Sequence, residues 1–437
     1  MEATDRTTTT GIAVVLRRSL ALFAVLRFRE FRLYWSGLVA QIIGQQMFHF
    51  TVGWLAFELT GSPAYLGIIN LLGFVPRISL TLVGGVFADR WDQVRLISLA
   101  QATSVAVLLG VATLTWTESV TVWHLMAAAF VLGASQSIDE PARAALFPRL
   151  LPDRSHIASA VPLISFAWSS TRVIAPSIAG FVVAAAGADT SFFVAALGAA
   201  TMVAVLRFVR PSKAAPRPPG NLIRNLIDGV RYVRGHEVFS IVIATSFVAA
   251  AFATGYTMML PVFAGPDVLD IDSRLLGLLY SVTGIGSLVG LATFNLIHSR
   301  LRPGTVLIIG LTAFSASLIA FAFSDWYWLS LLLMGLTGVA HIYFQTSVHL
   351  ILQTLVDDQY RARVMALHGL LWGLVLLSAT VLNIAAEFVG PRIALATGAS
   401  VVLVYVWLFV VRSSALRNVS LTPDSAQPAQ SGTREGH

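Results

Sequence analysis

The stretch GGVFADRWDQVR, Gly84 to Arg95, closes one apolar run and opens the next. The flanking runs, 64–87 and 94–116, each hold the roughly 20 residues that a helix needs to cross about 30 Å of hydrocarbon. So short a turn between them, carrying Asp89, Arg90 and Arg95, reverses the chain at a membrane surface. Gly85 permits close helix approach, an acid favours a helix N-terminus, and arginines hold one face of the bilayer.

The rest of the chain repeats that pattern. Of its 437 residues, 56% are hydrophobic and 12% charged, against about 25% charged in a soluble domain. Cysteine is absent, which excludes disulfides, thiolate metal sites and cysteine nucleophiles. The net charge of +7 does not point to nucleic acid, because in a membrane chain the placement of charges matters more than their sum. Lys213 is the only lysine, an arginine bias that fits a GC-rich, bacterial genome. No small-residue cleavage site follows the first apolar core, so that span is expected to stay attached as an anchor.

Twelve spans are expected, at about 33–57, 64–87, 94–116, 121–146, 157–186, 190–208, 239–263, 275–297, 304–323, 327–353, 364–388 and 392–411. Connections are short except from Arg210 to Val238. The fold class is therefore an all-α membrane protein with twelve transmembrane helices in two six-helix bundles, 33–209 and 239–411. A segment 1–32 precedes them, a linker 210–238 joins them and a disordered tail 412–437 follows. One side of the membrane collects Arg27, Arg29, Arg32, Arg90, Arg95, Arg149, Arg154, the linker's basic residues, Arg300, Arg302, Arg361, Arg363, Arg412 and Arg417. The other side has Arg274 and Arg392. Basic residues stay on the cytoplasmic side, so both termini are expected there, in a multi-pass protein of the bacterial inner membrane.

The linker begins with PSKAAPRPPG, expected to be extended. NLIRNLIDGVRYVRG follows, with Leu222, Ile223, Leu226, Ile227, Val230 and Val233 on one face and Arg224, Asp228, Arg231 and Arg234 away from it. That pattern describes a helix lying in the cytoplasmic leaflet, in contact with lipid.

A shift of 205 residues lays Gly85 on Gly290, Arg95 on Arg300, Gly133 on Gly338 and Asp153 on Asp358. One offset across several elements is the mark of a parallel repeat. On these residues the chain resembles the major facilitator superfamily, whose signature loop joins spans 2 and 3; Asp92, Gln93 and Val94 depart from that family's glycine and basic pair. DEPARAALFPRLLPDRSHIASA (139–160), GVRYVRGHEVF (229–239) and DDQYRARVMAL (357–367) resemble the branch containing enterobactin exporters and macrolide efflux pumps. RVIAPSIAGFV in span 5 is similar to the Gly-Pro signature of the superfamily's exporters, with Ala175 and Ala179 in place of two glycines. The resemblance implies alternating access, with Gly85, Asp89, Arg90 and Arg95 in the gate and Asp89 docking near Arg361 and Arg363. It further implies proton-coupled efflux of a drug-like or siderophore-like small molecule, as in multidrug resistance or siderophore export. An importer, or a partner or sensor that kept the fold, are the alternatives.

Ionisable side chains at the bilayer centre cost about 2.5–3.5 kcal/mol each, so each asks for a partner or a task. Asp139 and Glu140 are neighbours and cannot share a helix face, while Arg143 is within reach of either. They serve either as one acid that binds and releases a proton or a cationic substrate while Arg143 holds the other, or as a fully paired latch at the cytoplasmic mouth. Arg172, near mid-membrane in span 5, either binds an anionic substrate or pairs with an acid of span 4. Arg77 is expected to pair within its own bundle. Gln41, Gln45 and His49 recur at i, i+4, i+8 in span 1, as do His341, Gln345 and His349 in span 10. Two such stripes are expected to line one cavity, with Tyr256, Met258, Met259, Phe344 and Trp372 offering adaptable contacts. Glu58 and Glu387 fall at outer span ends, where a solvated charge asks for no role.

No P-loop, HExxH or GxSxG motif occurs, so neither ATP hydrolysis nor another enzyme activity is indicated. No catalytic residue, cofactor or metal site is expected. The expected partners are a small-molecule substrate, protons and lipid, with no nucleic acid and a monomeric chain.

Overall fold

The computed structural model describes residues 24–153, 156–212 and 222–419; the side chains of Asp89, Ala158, Trp372, 222–226 and a few others lie outside that description. Every regular element among the described residues is helical. The long helices are α1 (Arg29–Thr60), α2 (Pro63–Arg90), α3 (Gln93–Trp116), α4 (Val122–Leu146) and α5 (Ile157–Leu206). After the linker helix α6 (Leu222–Arg234) come α7 (Glu237–Phe252), α8 (Ser273–His298), α9 (Pro303–Ala322), α10 (Tyr327–Leu355), α11 (Asp358–Val389) and α12 (Pro391–Tyr405).

Nine helical stretches among the described residues are long and apolar enough to cross a membrane. Helices α1 and α4, with 32 and 25 residues, are also long enough but are not among the nine. They carry the glutamines and His49, and the Asp139–Glu140–Arg143 group, respectively.

Three spans show internal structure that the sequence reading lacks. Spans 5 and 6 are the arms of α5, broken at Gly187 with φ +90°. A side chain is strained in that backbone region and glycine is not. Span 7 runs to Phe263 as expected, but its α-helix ends at Phe252; residues Thr254–Met259 tighten into a 3₁₀ turn before a short helix at Leu260–Phe263. Neighbouring helices hold this turn: Tyr280 donates to the Thr257 carbonyl at 2.7 Å, and Asn383 to that of Met258 at 3.5 Å. Backbone groups freed at membrane depth need such partners.

Helices α1 to α5 pack mainly among themselves, α1 along α5 and α2 along α4; α7 to α12 do likewise, α10 against α8 and α9. Gly133 of α4 lies against Gly73 of α2, and Gly338 of α10 against Thr283 of α8, so positions matched by the 205-residue shift make like contacts. Two pairs make the main crossings between the halves, α2 with α11 and α5 with α8.

These crossings join the ends remote from the linker. Gly67 meets Thr380 and Asn383, while Gly180 meets Ser273 and Gly277. The Ser177 hydroxyl lies 2.5 Å from that of Ser281. Nearer the linker, Glu140 and the α5 stripe of Pro162, Ser165, Ser169 and Arg172 are exposed. The halves thus meet at the far end and leave these polar faces of α4 and α5 uncovered toward the linker end, as a cavity open at that end requires.

Helix α6 departs from the single apolar face read from its sequence. Val233 is buried, but Ile227 and Val230 are exposed. The reason is its dock on α11: Asp228 pairs with Arg363 at 3.4 Å, and Tyr232 stacks on Tyr360 with ring centroids 4.3 Å apart. Leu222, Ile223, Arg224 and Leu226 lie outside the described side chains, as do most of the PSKAAPRPPG stretch and residues 420–437.

Candidate functional site

In the first half, one polar network joins α1, α2 and α4. Pro141 lies inside α4, with Asp139 and Glu140 on the turn before it. Adjacent helical residues diverge by about 100°. Asp139 accordingly turns inward, its side chain 5% exposed, while Glu140 turns to the cavity, 47% exposed. Arg143 chooses Asp139, at 2.7 Å, and also donates to Gln41 of α1 at 2.9 Å. Gln41 in turn donates to Gln45 at 3.4 Å. Tyr34 of α1 is within range of both charges of that pair.

Glu140 is engaged by Arg77 of α2, and the charge of Arg77 acts on His49 of α1. The α1 stripe therefore divides, with Gln41 buried against the fixed pair and His49 exposed near the second pair. The two ion pairs differ in kind. Asp139–Arg143 is enclosed, where losing one partner strands a buried charge. Arg77–Glu140 is reachable from the open cavity.

In the second half, α10 carries the matching stripe. His341 rests against Phe314, with ring centroids 5.2 Å apart, and Phe314 against Tyr256 of the 3₁₀ turn at 5.8 Å. Gln345 borders a small void with Phe344, Thr254 and His368. His349 meets His368 of α11 edge-on at 4.9 Å. Met259 and Phe344 are buried and serve packing, whereas Met258 offers its carbonyl to Asn383. Trp372 lies outside the described side chains.

Arg172 of α5 lies on the exposed stripe of that helix, and its charge acts on Tyr256 and on His341 of the second half. The acids of α4 have their ion pairs with Arg143 and Arg77.

The gate residues fall differently from expectation. A Cβ at Gly85 would meet nothing within 4 Å among the described residues; the tight approach is one residue earlier, where Gly84 lies against the Ser137 carbonyl of α4. Arg90 and Arg95 are exposed. Asp92 caps α3, accepting from the Arg95 amide at 2.9 Å. Arg361 pairs with Asp358 at 2.6 Å and Arg363 with Asp228; the Asp89 side chain lies outside the described residues.

Sequence reasoning passed over four participants. His368 was detectable as a further histidine at membrane depth, by the cost argument already applied to its neighbours. Ser165, Ser169 and Arg172 fall at i, i+4 and i+7 on one exposed stripe, a helical period that was legible. Glu387, taken as a solvated charge, instead accepts from Ser62 at 2.6 Å.

A family model described as transmembrane secretion effector matches residues 20–431. The staphyloferrin A transporter of Staphylococcus aureus (strain NCTC 8325 / PS 47) is 23% identical over 364 residues, covering 82% of this chain and 89% of that protein. The enterobactin exporter EntS of Escherichia coli O1:K1 / APEC is 22% identical over 330 residues, 75% of each. Among solved structures, the nucleoside transporter NupG superposes with a TM-score of 0.71 at 15% identity, over 88% of this chain and all of that one. A bacterial homologue of the iron transporter ferroportin, in an inward-facing state, gives 0.66 at 15% identity, over 88% and 97%. At such identities these two structures share the fold alone.

Proposed function

The chain belongs to the transmembrane secretion effector family, within the major facilitator superfamily, and we propose that it exports a siderophore-like small molecule by proton-coupled alternating access. The observation that carries this is the cavity between the halves, closed where α2 meets α11 and α5 meets α8, and open at the linker end. A cavity of that form presents its lining to one side only, and rocking of the halves would present it to the other. The staphyloferrin and enterobactin relatives support siderophore-like cargo. The arginine-rich linker end is assigned to the cytoplasm, with bundles at 33–209 and 239–411 and a monomeric unit. The outward Ile227 and Val230 suit a leaflet contact for α6.

Glu140 is assigned as the exchangeable acid, because it faces the cavity, and Asp139–Arg143 as the fixed pair. Protonation of Glu140 would release Arg77 and alter the field at His49 on α1. One charge crossing 100 mV is worth about 2.3 kcal/mol, enough with a pH gradient to sustain roughly a hundredfold concentration of cargo. In the opposite conformation, Asp89 would come to Arg361 and Arg363, displacing Asp358 and Asp228.

Inverted membrane vesicles test the reading. An inside-acid gradient should drive accumulation of staphyloferrin A or enterobactin; accumulation of neither sinks proton-coupled export. Ala175 and Ala179 in the exporter signature favour import as the second reading, which predicts uptake into right-side-out vesicles instead.

A further inference from the structure

Two histidines of the second half have each other as neighbours. His349 of α10 meets His368 of α11 edge-on, with ring centroids 4.9 Å apart. Gln345 stands one turn before His349 on α10, and with His368 it borders a void of about 20 Å³. That is room for a single water-sized particle. Two hydroxyls also line the void, but Ser246 donates to the Val242 carbonyl at 2.9 Å and Thr254 to that of Ala249 at 2.9 Å. The side chains of Gln345, His349 and His368 have no hydrogen-bond partner among the described residues. Other histidines are engaged, His124 with Thr121, His156 with Asp153 and His236 with the Tyr232 carbonyl.

A neutral imidazole offers one nitrogen lone pair, and an amide oxygen offers two. Imidazole suits zinc, copper and nickel, whereas magnesium and calcium take oxygen ligands. A zinc–nitrogen bond of about 2.0–2.1 Å sets each ring centroid about 3.2 Å from the ion. Two rings at a tetrahedral angle then have centroids about 5 Å apart, which is the spacing between His349 and His368. No third His, Asp or Glu completes a cluster among the described residues, so the further ligands are Gln345 and water. Neutral donors leave the ion's charge uncompensated, which makes the site exchangeable.

We propose that His349 and His368, assisted by Gln345, bind one late first-row divalent metal ion that bridges α10 to α11. The site is separate from the Arg77–Glu140 pair and does not depend on what the cavity carries. His349 is partly exposed and lies six residues before the end of α10 at Leu355, so an ion reaches it from the linker end. Helix α11 also crosses to α2 and holds α6 through Arg363. An ion tying it to α10 stiffens the half that carries both contacts.

Calorimetry on the purified, tag-free full-length protein, with zinc chloride as the probe, tests the assignment. The wild type should bind zinc saturably, at one ion per chain, and an excess of magnesium should not displace it. His349→Leu and His368→Leu should each weaken zinc at least about tenfold, since even partners behind a ligand cost that much. The double variant should lose little more than either single one, because both ligate the same ion. His236→Gln, at a histidine on another helix, should bind zinc as the wild type does. If His368→Leu does not fold, His349→Leu, at a partly exposed position, carries the test. Absence of saturable zinc binding by the wild type overturns the proposal. So does unchanged affinity in a folded His349→Leu, or an equal loss in His236→Gln. Binding is read without transport, so a protein that moves no siderophore yet holds zinc through His349 removes export and keeps the site.

Discussion

Glu387, in the last turn of α11, accepts a hydrogen bond from the Ser62 hydroxyl at 2.6 Å. It takes a second from the Ala64 amide at 3.2 Å, so a carboxylate of the second half sits at the N-terminus of α2 in the first. Anions are favoured there by the unsatisfied amides and the helix dipole. The pair clips the closed end of the cavity.

Glu387→Ala should shift the molecule toward the state open at that end. Losing about 1 kcal/mol in an exposed position changes a two-state ratio about fivefold. The chain has no cysteine, so spin labels at Ser119→Cys and Asp267→Cys, both at exposed sites, report the distance directly. An unchanged distance distribution in Glu387→Ala would show that Ser62 and Glu387 do not hold the end closed.

The two acids of α4 should separate by phenotype. Asp139→Asn leaves Arg143, 11% exposed, beside a neutral partner, a loss of about 3–5 kcal/mol and a clearly lower melting temperature. Glu140→Gln, at a pair open to the cavity, should cost less than about 1 kcal/mol yet abolish transport driven by a pH gradient while sparing exchange. Gradient-driven transport intact in Glu140→Gln would remove it as the proton carrier.

Much of this arrangement was legible from residue spacing, and its limits have physical causes. Helix lengths follow from bilayer thickness, and the divergence of Asp139 from Glu140 follows from helical geometry. The choice made by Arg143 does not, since i+3 and i+4 are both within reach. Gln41 on α1 and Arg77 on α2 settle it by occupying the two faces, and that is tertiary information. The break after Phe252 was hidden because AAAFATGYTMML is apolar throughout; what sustains it is Tyr280 and Asn383, distant in sequence. Gly84 and Gly85 are indistinguishable by type, and only the position of the Ser137 carbonyl assigns the close contact to the first.

That assignment predicts opposite results for neighbouring residues. Gly84→Val should overpack the α2–α4 contact at about 1–3 kcal/mol, seen as a lower melting temperature. A Cβ at Gly85 meets none of the described residues within 4 Å, so the melting temperature of Gly85→Val should stay within a degree or two. If the two variants melt alike, packing at this turn is not what the backbone contact implies.

The linker helix should respond to alkali through Tyr232. Burial raises the pKa of its phenol, partly offset by the hydrogen bond from the Asp357 amide. The docked state thus prefers the protonated form. Docking is complete below the ordinary phenol value near 10 and weakens as pH climbs through the raised one. Amide exchange in α6 should accelerate over that interval in the wild type and not in Tyr232→Phe, which retains the stack on Tyr360. Equal pH profiles in the two proteins would break the link to Tyr232.

The dock of α6 on α11 also sets a mechanical limit. Ser212 is fastened to the first half, its amide donating to the Arg149 carbonyl at 3.0 Å, while α6 travels with α11. From Ser212 to Leu222 the chain has ten residue steps, a reach of at most about 35 Å when fully stretched. Whatever conformations the two halves adopt, they cannot draw those anchor points farther apart than this. Each residue deleted between those anchors lowers that upper bound by about 3.5 Å.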